Sequence, residues 1–213
     1  MIRRFFYDNE FIEDGKTIDL LSTAMVAEDG TEYYAIVDDV VTITRAVMHP
    51  WLRENVVPFL PVTILQPNGG DAYQGARRWS WNHDHPDIGA VRSRERIASD
   101  LLSLLVPDGW PVALGPACEL WAYYSAFDHV SLAQLWGSMV TLPPGMPMLT
   151  RELVQRWEDC GRPAKPVQAP DSQHDARADA RWNRALWMVC EEVRQSGACR
   201  VGSGGLVMGQ AEG

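Results

Sequence analysis

The chain has 213 residues, of which 46% are hydrophobic and 22% charged, a composition typical of a globular protein with a sizeable core. Its nine Trp, six Tyr and five Phe residues exclude wholesale disorder, and no apolar run is long enough to cross a membrane. A formal net charge of −9 excludes a protein that coats nucleic acid through bulk positive charge, but it allows an enzyme whose carboxylates hold cations.

The first residues and the cysteines indicate where the protein works. The opening sequence MIRRFFYD is basic but lacks the apolar segment of a signal peptide. The four cysteines form no C-x-x-C pair, so we expect reduced thiols rather than a disulfide or a zinc site. These features predict a cytoplasmic protein.

The first forty residues predict a meander of three antiparallel strands. We expect the strands over 5–11, 18–27 and 31–37, with Gly15 and Gly30 in the two turns. A short helix is expected over 44–60. Residues 61–91 are rich in glycine, proline and polar residues, which predicts a long insertion.

The second half of the chain alternates between helical and extended patterns, which predicts an α/β fold. A helix is expected over 92–106, where Ile97, Leu101, Leu104 and Leu105 share one face, and a strand over 119–124. Further helices are expected over 127–136 and 150–159, and a long final helix from Asp171 or Ser172 to about residue 195. We expect one domain over 1–196 and a weakly ordered, glycine-rich tail over 197–213.

Asp8 and Glu10 lie two residues apart in the first predicted strand. A strand places both side chains on one face, where two anions are costly unless a cation compensates them. A divalent metal ion would do so. An isolated D-x-E pair is more often simply the exposed face of a strand.

Asp128 follows the aromatic strand over 119–124, at the start of a helix. The carboxyl end of a central strand is where α/β sheets place ligands, which favours a functional role. The alternative is a carboxylate that caps the helix. The neighbouring His129 is interpreted as a polar helix residue.

His174 and Asp179 are five residues apart at the start of the final helix. Positions i and i+5 do not share a helix face, so we expect His174 at or before the first turn and Asp179 on the helix body. The aspartate could then bind a metal while the imidazole reaches a different atom. The alternative for His174 is an exposed residue of the first turn.

The order of these motifs resembles the DEDDh family of 3′–5′ exonucleases: D-x-E in the first strand, an Asp after an aromatic strand, and H-x4-D in a late helix. The resemblance covers about residues 5–190. Segments 7–15, 119–123 and 128–137 are similar to the small adenylate-preferring exoribonucleases of actinobacteria, called RNase AS. Two positions depart from the family pattern, Tyr124 where Asn is frequent and Asn9 where Thr is common, and they leave the nucleotide preference open.

The resemblance implies an RNase H-like fold, in which a mixed sheet opens with a three-strand meander and is flanked by helices. It implies that two Mg²⁺ ions, with Mn²⁺ as a substitute, are held by Asp8, Glu10, Asp128 and Asp179, and that His174 is the general base. The substrate would be the 3′ end of single-stranded RNA, released as nucleoside 5′-monophosphates and with a preference for adenylate tracts. Phe11, Tyr124 and Arg177 would contact it, and a homodimer is compatible with the family; a core position is the alternative for Phe11.

Two other functions remain open on sequence grounds. One is a proofreading type of DNA 3′–5′ exonuclease, and the other is a catalytically silent module that binds nucleic acid. His83, Asp84 and His85 resemble a metal-ligand cluster, but their loop favours a solvated turn. Several arginines could meet the phosphate backbone, although exposed charge is the default interpretation: Arg77, Arg78, Arg92, Arg94, Arg96, Arg181 and Arg184.

Overall fold

A six-stranded mixed sheet organises the protein in the computed structural model, which describes residues 2–65 and 78–197. The strands are β1 (Arg3–Glu13), β2 (Ile18–Ala27), β3 (Glu32–Val37), β4 (Val62–Leu65), β5 (Arg78–Trp81), β6 (Val91–Arg92), β7 (Cys118–Ala122) and β8 (Thr150–Glu152). The helices are α1 (Val40–Met48), α2 (Pro50–Asn55), α3 (Arg94–Leu105), α4 (Ala126–Ala133), α5 (Leu153–Asp159) and α6 (Ala176–Gln195).

The strand order in the large sheet is β6-β3-β2-β1-β7-β8. The strands β1, β2 and β3 form the predicted antiparallel meander, while β7 runs parallel to β1, β8 parallel to β7, and β6 parallel to β3. This mixed sheet with flanking helices is the RNase H-like α/β fold expected from the sequence. The two central strands of this sheet are β2 and β1.

Helices cover both faces of the sheet. Successive side chains of β1 point to opposite faces, so the strand contributes residues to the core on each side. Phe5 and Tyr7 belong to the larger core, together with residues of α1, α3 and α4. Phe6 packs on the other face, where its ring centroid lies 5.4 Å from that of Trp187 in α6. The helix α6 therefore crosses the face of β1 that carries the even-numbered side chains.

Local sequence signals explain where the main helices begin. The Ser93 hydroxyl accepts a hydrogen bond from the backbone N–H of Arg96 at the start of α3. The Asp175 carboxylate accepts one from the backbone N–H of Arg177 and caps α6. After α4 and one 3-10 turn, Gly137 ends the helical stretch with φ of 91°, a value that favours glycine.

Three expected boundaries were wrong. The helix expected over 44–60 is two helices and a 3-10 turn, because Pro50 starts a new helix after Met48. Residues 150–152, expected to be helical, form β8, since Thr150 pairs with Leu120 of β7. The final helix starts at Ala176 rather than near Asp171, which lies in a separate 3-10 turn.

The described part of the segment expected as an insertion contacts α1 and the edge of the large sheet. Strands β4 and β5 pair with each other, and the Trp79 indole N–H donates to the Thr44 hydroxyl of α1 at 2.8 Å. Strand β6 then joins the edge of the large sheet beside β3. Residues 66–77, with Arg77, and residues 198–213 of the expected tail lie outside the described residues.

None of the helices within the described residues is long and apolar enough to span a membrane. Cys118, Cys160 and Cys190 are buried, whereas Cys199 lies outside the described residues.

Candidate active site

The centre of the site is the middle of β1. Asp8 is half-buried and Glu10 is buried, and both belong to the even-numbered residues that face α6. Their partners on β2 are small: Asp8 lies opposite Ala24, and Glu10 lies opposite Ser22. Small neighbours leave space above the strand between the two carboxylates and the helix.

Asp128 is held directly against β1 from the first turn of α4. Its carboxylate Oδ1 accepts a hydrogen bond of 2.8 Å from the backbone N–H of Asn9. The Asn9 side chain donates to the backbone carbonyl of Asp128 at 2.8 Å and to the Ser131 hydroxyl at 2.9 Å. The alternative of a capping carboxylate is wrong, because Ser125 occupies the N-cap position of α4 and Asp128 bonds to the strand.

His174 and Asp179 meet at the start of α6. His174 precedes the capping residue Asp175, as expected, and has a left-handed backbone with φ of 67°. Its backbone N–H donates to Asp179 Oδ2 at 2.9 Å, and the side-chain amide of Gln168 donates to Asp179 Oδ1. The imidazole is not directed away from Asp179, because ligand atoms of Glu10, His174 and Asp179 all lie within 4.8 Å of one another.

The electrostatics of these carboxylates are unfavourable without a cation. Burial, followed by repulsion from neighbouring carboxylates, raises the pKa of Asp8 and of Glu10 well above the usual values. Burial also raises the pKa of Asp128 to about 7 and that of Asp179 above its usual value. Within residues 2–65 and 78–197, no Lys or Arg forms an ion pair with any of the four.

The donor set fits a hard divalent cation. Carboxylate oxygens are the ligands that Mg²⁺ and Mn²⁺ prefer, and a nearby cation would favour the ionised form of each acid. The hydrogen bonds from Asn9, Gln168 and His174 orient the carboxylates but do not neutralise them. Glu10, His174 and Asp179 place one ligand atom each within 4.8 Å of one another, a spacing that could hold such an ion. Participation of Asp8 and Asp128 in the same metal site stays a prediction.

Two of the three residues expected to contact substrate lie near site carboxylates along the chain, Phe11 next to Glu10 and Tyr124 four residues before Asp128. The ring of Phe11 stacks on that of exposed Phe127, with centroids 6.1 Å apart, and Phe11 is only half-buried rather than a core residue. Tyr124 is exposed and has φ of 57°, a conformation that Asn tolerates better than Tyr. The carboxylate of Glu152 accepts hydrogen bonds from the backbone N–H groups of Tyr124 and Ser125, both at 2.9 Å, and so holds this turn.

Arg177 is engaged within the protein. Its guanidinium makes two hydrogen bonds to the Asp87 carboxylate, at 2.6 and 2.7 Å, and lies 4.3 Å from the centroid of the Tyr34 ring. A substrate role for Arg177 stays a prediction. His85 in turn contacts Asp87, since its Nδ1 accepts a hydrogen bond of 3.1 Å from the Asp87 backbone N–H.

Other expected surface arginines also have protein partners. Arg181 pairs with Glu32, Arg184 donates to the backbone carbonyl of Glu28, and Arg94 donates to Asp19. His83 and Asp84 are exposed in a turn, in agreement with the expectation of a solvated segment.

Sequence reasoning missed several supporting residues. The exposed Trp51 of α2 packs edge-on against the His174 ring, with centroids 4.8 Å apart. The buried Asn183 of α6 donates to the backbone carbonyl of Tyr7 at 2.8 Å and fixes the helix over β1. The sequence did offer a signal for Asn183, because an asparagine on the apolar side of a helix indicates a buried polar contact. Neither Trp51 nor Glu152 had a local signal, because their partners are distant in sequence.

The mixed sheet and the uncompensated carboxylates at its centre define an α/β protein with a candidate cation-dependent active site. Comparison with known proteins identifies the family of this α/β protein. No protein-family model matches the chain. Two 3′–5′ exoribonucleases, from two strains of Mycobacterium tuberculosis, are each 44% identical to it over 178 residues, which are 84% of this chain and 87% of theirs. The chain belongs to the family of these 3′–5′ exoribonucleases.

Proposed function

We propose that this protein is a metal-dependent 3′–5′ exoribonuclease of the DEDDh type. It would remove nucleoside 5′-monophosphates from the 3′ end of single-stranded RNA, using two Mg²⁺ ions or Mn²⁺ in their place. The observation that carries the proposal is the cluster of Asp8, Glu10, Asp128 and Asp179, whose charges no Lys or Arg ion pair balances within the described residues. A single domain over 1–196, a cytoplasmic location and a homodimer stay predictions.

Each site residue has a distinct task in this proposal. Bound cations would supply an activated water and stabilisation of the leaving 3′-oxygen. Asp8 and Glu10 hold the metal from the strand, while Asp128 and Asp179 hold it from the two helices. Asn9 fixes the Asp128 carboxylate, and the two hydrogen bonds to Asp179 fix its orientation.

His174 is assigned as the general base that takes the proton from the attacking water. It precedes the capped first turn of α6, so its ring is not constrained by helix geometry. The contact with Trp51 restricts the ring to the side of Glu10 and Asp179. The same proximity would let the imidazole act as a metal ligand, which makes metal affinity the deciding measurement for its role.

The aromatic surface beside the carboxylates supports recognition of a single-stranded 3′ end. The Phe11–Phe127 stack and the exposed Tyr124 offer ring faces on which bases can pack. Stacking favours the larger purine rings, which supports the proposed preference for adenylate tracts. Arg177 could act on the substrate only by sharing or leaving Asp87.

The proposal is tested with purified protein and 5′-labelled homopolymers of single-stranded RNA and DNA, in Mg²⁺ or in EDTA. We expect a ladder that shortens from the 3′ end, no reaction in EDTA, faster turnover of RNA than of DNA, and fastest turnover of poly(A). Asp8→Asn should be inactive, whereas Asp84→Asn, which makes the same change on an exposed turn, should be unaffected.

Three results would contradict parts of the proposal. Equal rates on RNA and DNA would favour the DNA exonuclease. Cleavage of circular RNA would exclude an exonuclease, because a circle has no 3′ end. Tight RNA binding without turnover in Mg²⁺ or Mn²⁺ would favour the silent binding module.

A further inference from the structure

A lysine is held over a group of aromatic rings near the carboxyl end of β7. The ammonium group of Lys165 lies 4.8 Å from the centroid of the Tyr123 ring and 4.3 Å from that of Trp157. It also donates a hydrogen bond of 2.6 Å to the Tyr123 hydroxyl. The Tyr123 ring meets the rings of Tyr124 and Trp182 edge-on, with centroids 4.7 and 5.2 Å away. We call these five side chains the lysine–aromatic surface.

The chain that carries Lys165 is fixed on both sides of this residue. The Trp157 indole N–H donates to the Pro163 carbonyl at 2.7 Å, and the Trp182 indole N–H donates to the Pro166 carbonyl at 2.9 Å. Both acceptors belong to prolines, whose φ is restricted, so the backbone around the lysine has little freedom. The ammonium group therefore has a defined position, unlike that of a lysine that extends freely into solvent.

Two contacts of the α6 region place the lysine–aromatic surface next to the candidate active site. Gln168, three residues after Lys165, donates to the Asp179 carboxylate, and three residues of chain span at most about 11 Å. Trp182 lies three residues after Asp179 in α6, and residues at this spacing are neighbours on a helix surface. The surface thus begins within one helical turn of a site carboxylate.

The sheet supplies a third connection. Phe6 of β1 pairs with Trp121 of the parallel strand β7, and Phe6, Trp121 and Tyr123 belong to one hydrophobic cluster. Asp8 lies two residues after Phe6 and Tyr123 two residues after Trp121, so both follow on the same face of the sheet. The lysine–aromatic surface therefore continues the face that carries Asp8.

Lys165 can accept an anion without losing a partner. An ammonium group has three N–H donors, and the Tyr123 hydroxyl takes one of them. Lys165 is exposed, and in the part of the chain that the structure describes no carboxylate forms an ion pair with it. A nucleic acid that approaches the four carboxylates is repelled by them, and a fixed cation at their margin offsets part of this repulsion.

We propose that the lysine–aromatic surface binds single-stranded RNA upstream of its 3′-terminal nucleotide, with Lys165 on an internal phosphate and the exposed Tyr124 ring against a base. Proteins that bind single strands combine cations along the backbone with rings on which bases stack. The inference rests on the proposed function for the identity of the substrate. It adds that the protein grips the chain beyond the nucleotide that it removes, so affinity should depend on RNA length.

The test compares a probe that has internal phosphates with one that has none. The first is 5′-fluorescein hexaadenylate whose last linkage is a methylphosphonate, which resists hydrolysis, and the second is AMP. Affinities of the full chain are measured in Mg²⁺ by fluorescence anisotropy and by isothermal titration. The variants are Lys165→Gln, Lys165→Arg and, as a matched control, Lys16→Gln in the exposed turn between β1 and β2.

We expect Lys165→Gln to weaken hexaadenylate binding by about fivefold or more and to lower the slope of log affinity against log salt by about 0.7, since one phosphate contact is lost. Lys165→Arg keeps the charge and should bind hexaadenylate within about twofold of the parent, as should Lys16→Gln. AMP affinity should stay the same in all variants, which also shows that the site remains folded.

The other outcomes separate this inference from the proposed function. Absence of hexaadenylate binding to the parent, parental affinity in Lys165→Gln, an equal loss in Lys16→Gln, or an equal loss of AMP affinity would overturn the inference. If the parent shortens natural hexaadenylate while Lys165→Gln binds normally, the inference alone fails. If the parent binds the probe through Lys165 but never shortens RNA, the proposed function fails and the binding surface stands.

Discussion

Carboxylates at the two ends of β1 and α6 have opposite electrostatic surroundings. At one end, Glu119 and Glu191 each lie between two arginines. At the other, Asp8, Glu10 and Asp179 face one another and Asp128, with hydrogen bonds to backbone and amide groups but no ion pair to Lys or Arg in the described residues. The same strand and the same helix supply both environments.

The pKa values of the carboxylates shift in opposite directions at the two ends. At the arginine end, burial opposes ionisation of Glu191, but hydrogen bonds from Arg194 and Arg156 prevail and lower its pKa. At the carboxylate end, burial and mutual repulsion act together, and the pKa values rise. The acids are balanced by arginines at one end and unbalanced at the other, and the proposed function assigns a bound cation to the unbalanced end.

The largest expected effect is that of Asp8→Asn, which removes one charge from the unbalanced end. Turnover of RNA in Mg²⁺ should fall by about 10³-fold or more, because transition-state charge loses its support. In EDTA the variant should melt about 2–4 °C above the parent, because repulsion is relieved. Wild-type turnover in Asp8→Asn would contradict the site assignment, and Asp84→Asn should change neither quantity.

The next effect separates His174 from Asp179 within the carboxylate end. His174→Ala should lose about 10²–10⁴-fold in single-turnover rate, as expected for a general base, and keep its affinity for Mg²⁺ and RNA. Asp179→Asn should lose both rate and metal affinity. If His174→Ala loses metal affinity as completely as Asp179→Asn does, the imidazole is a ligand, and the proximity to Glu10 and Asp179 explains why.

Stability should depend on pH in a direction set by the unbalanced acids. The pKa of Asp128 is about 7 in the folded protein, whereas its ordinary value of 3.8 applies to the unfolded chain. Between these two pH values the folded chain therefore binds more protons than the unfolded chain does. In EDTA, the free energy of unfolding should therefore decrease as the pH rises from about 4 to about 7, on the order of 3 kcal/mol. Denaturant titrations should show a smaller slope for Asp128→Asn and for the parent in saturating Mg²⁺. A slope equal to the parent's in Asp128→Asn would contradict the assignment.

The smallest effect is expected at the arginine end, with the opposite sign. Glu191→Gln removes the carboxylate between Arg156 and Arg194 and should destabilise the protein by about 1 kcal/mol at pH 7. Glu158→Gln, which breaks an exposed pair with Arg162, should cost less than about 0.5 kcal/mol in the same denaturant titration. Greater stability in Glu191→Gln would remove the contrast between the two ends.

Much of the fold was predictable because its signals are local. Alternation and glycine turns placed the meander, and β2 has the predicted bounds Ile18–Ala27. The helix α3 follows its apolar spacing. The strand β8 was not predictable, because three residues carry no period of their own and become a strand only by pairing with β7. The segment after residue 61 was recognised as irregular, but its contacts with α1 and β3 depend on distant partners.

For the site, the sequence by itself determined the residue types and their order: D-x-E in a strand, an Asp at the start of a helix, and a His just before a helical Asp. The tertiary structure alone decided that Asn9 joins Asp128 to β1, that Trp51 contacts His174, and that Asp87 engages Arg177. These contacts join residues 90 to 123 positions apart, and no local pattern encodes which distant side chain fills the space beside another. Spacing therefore predicted which side chains carry the chemistry, and packing determined which groups orient and restrain them.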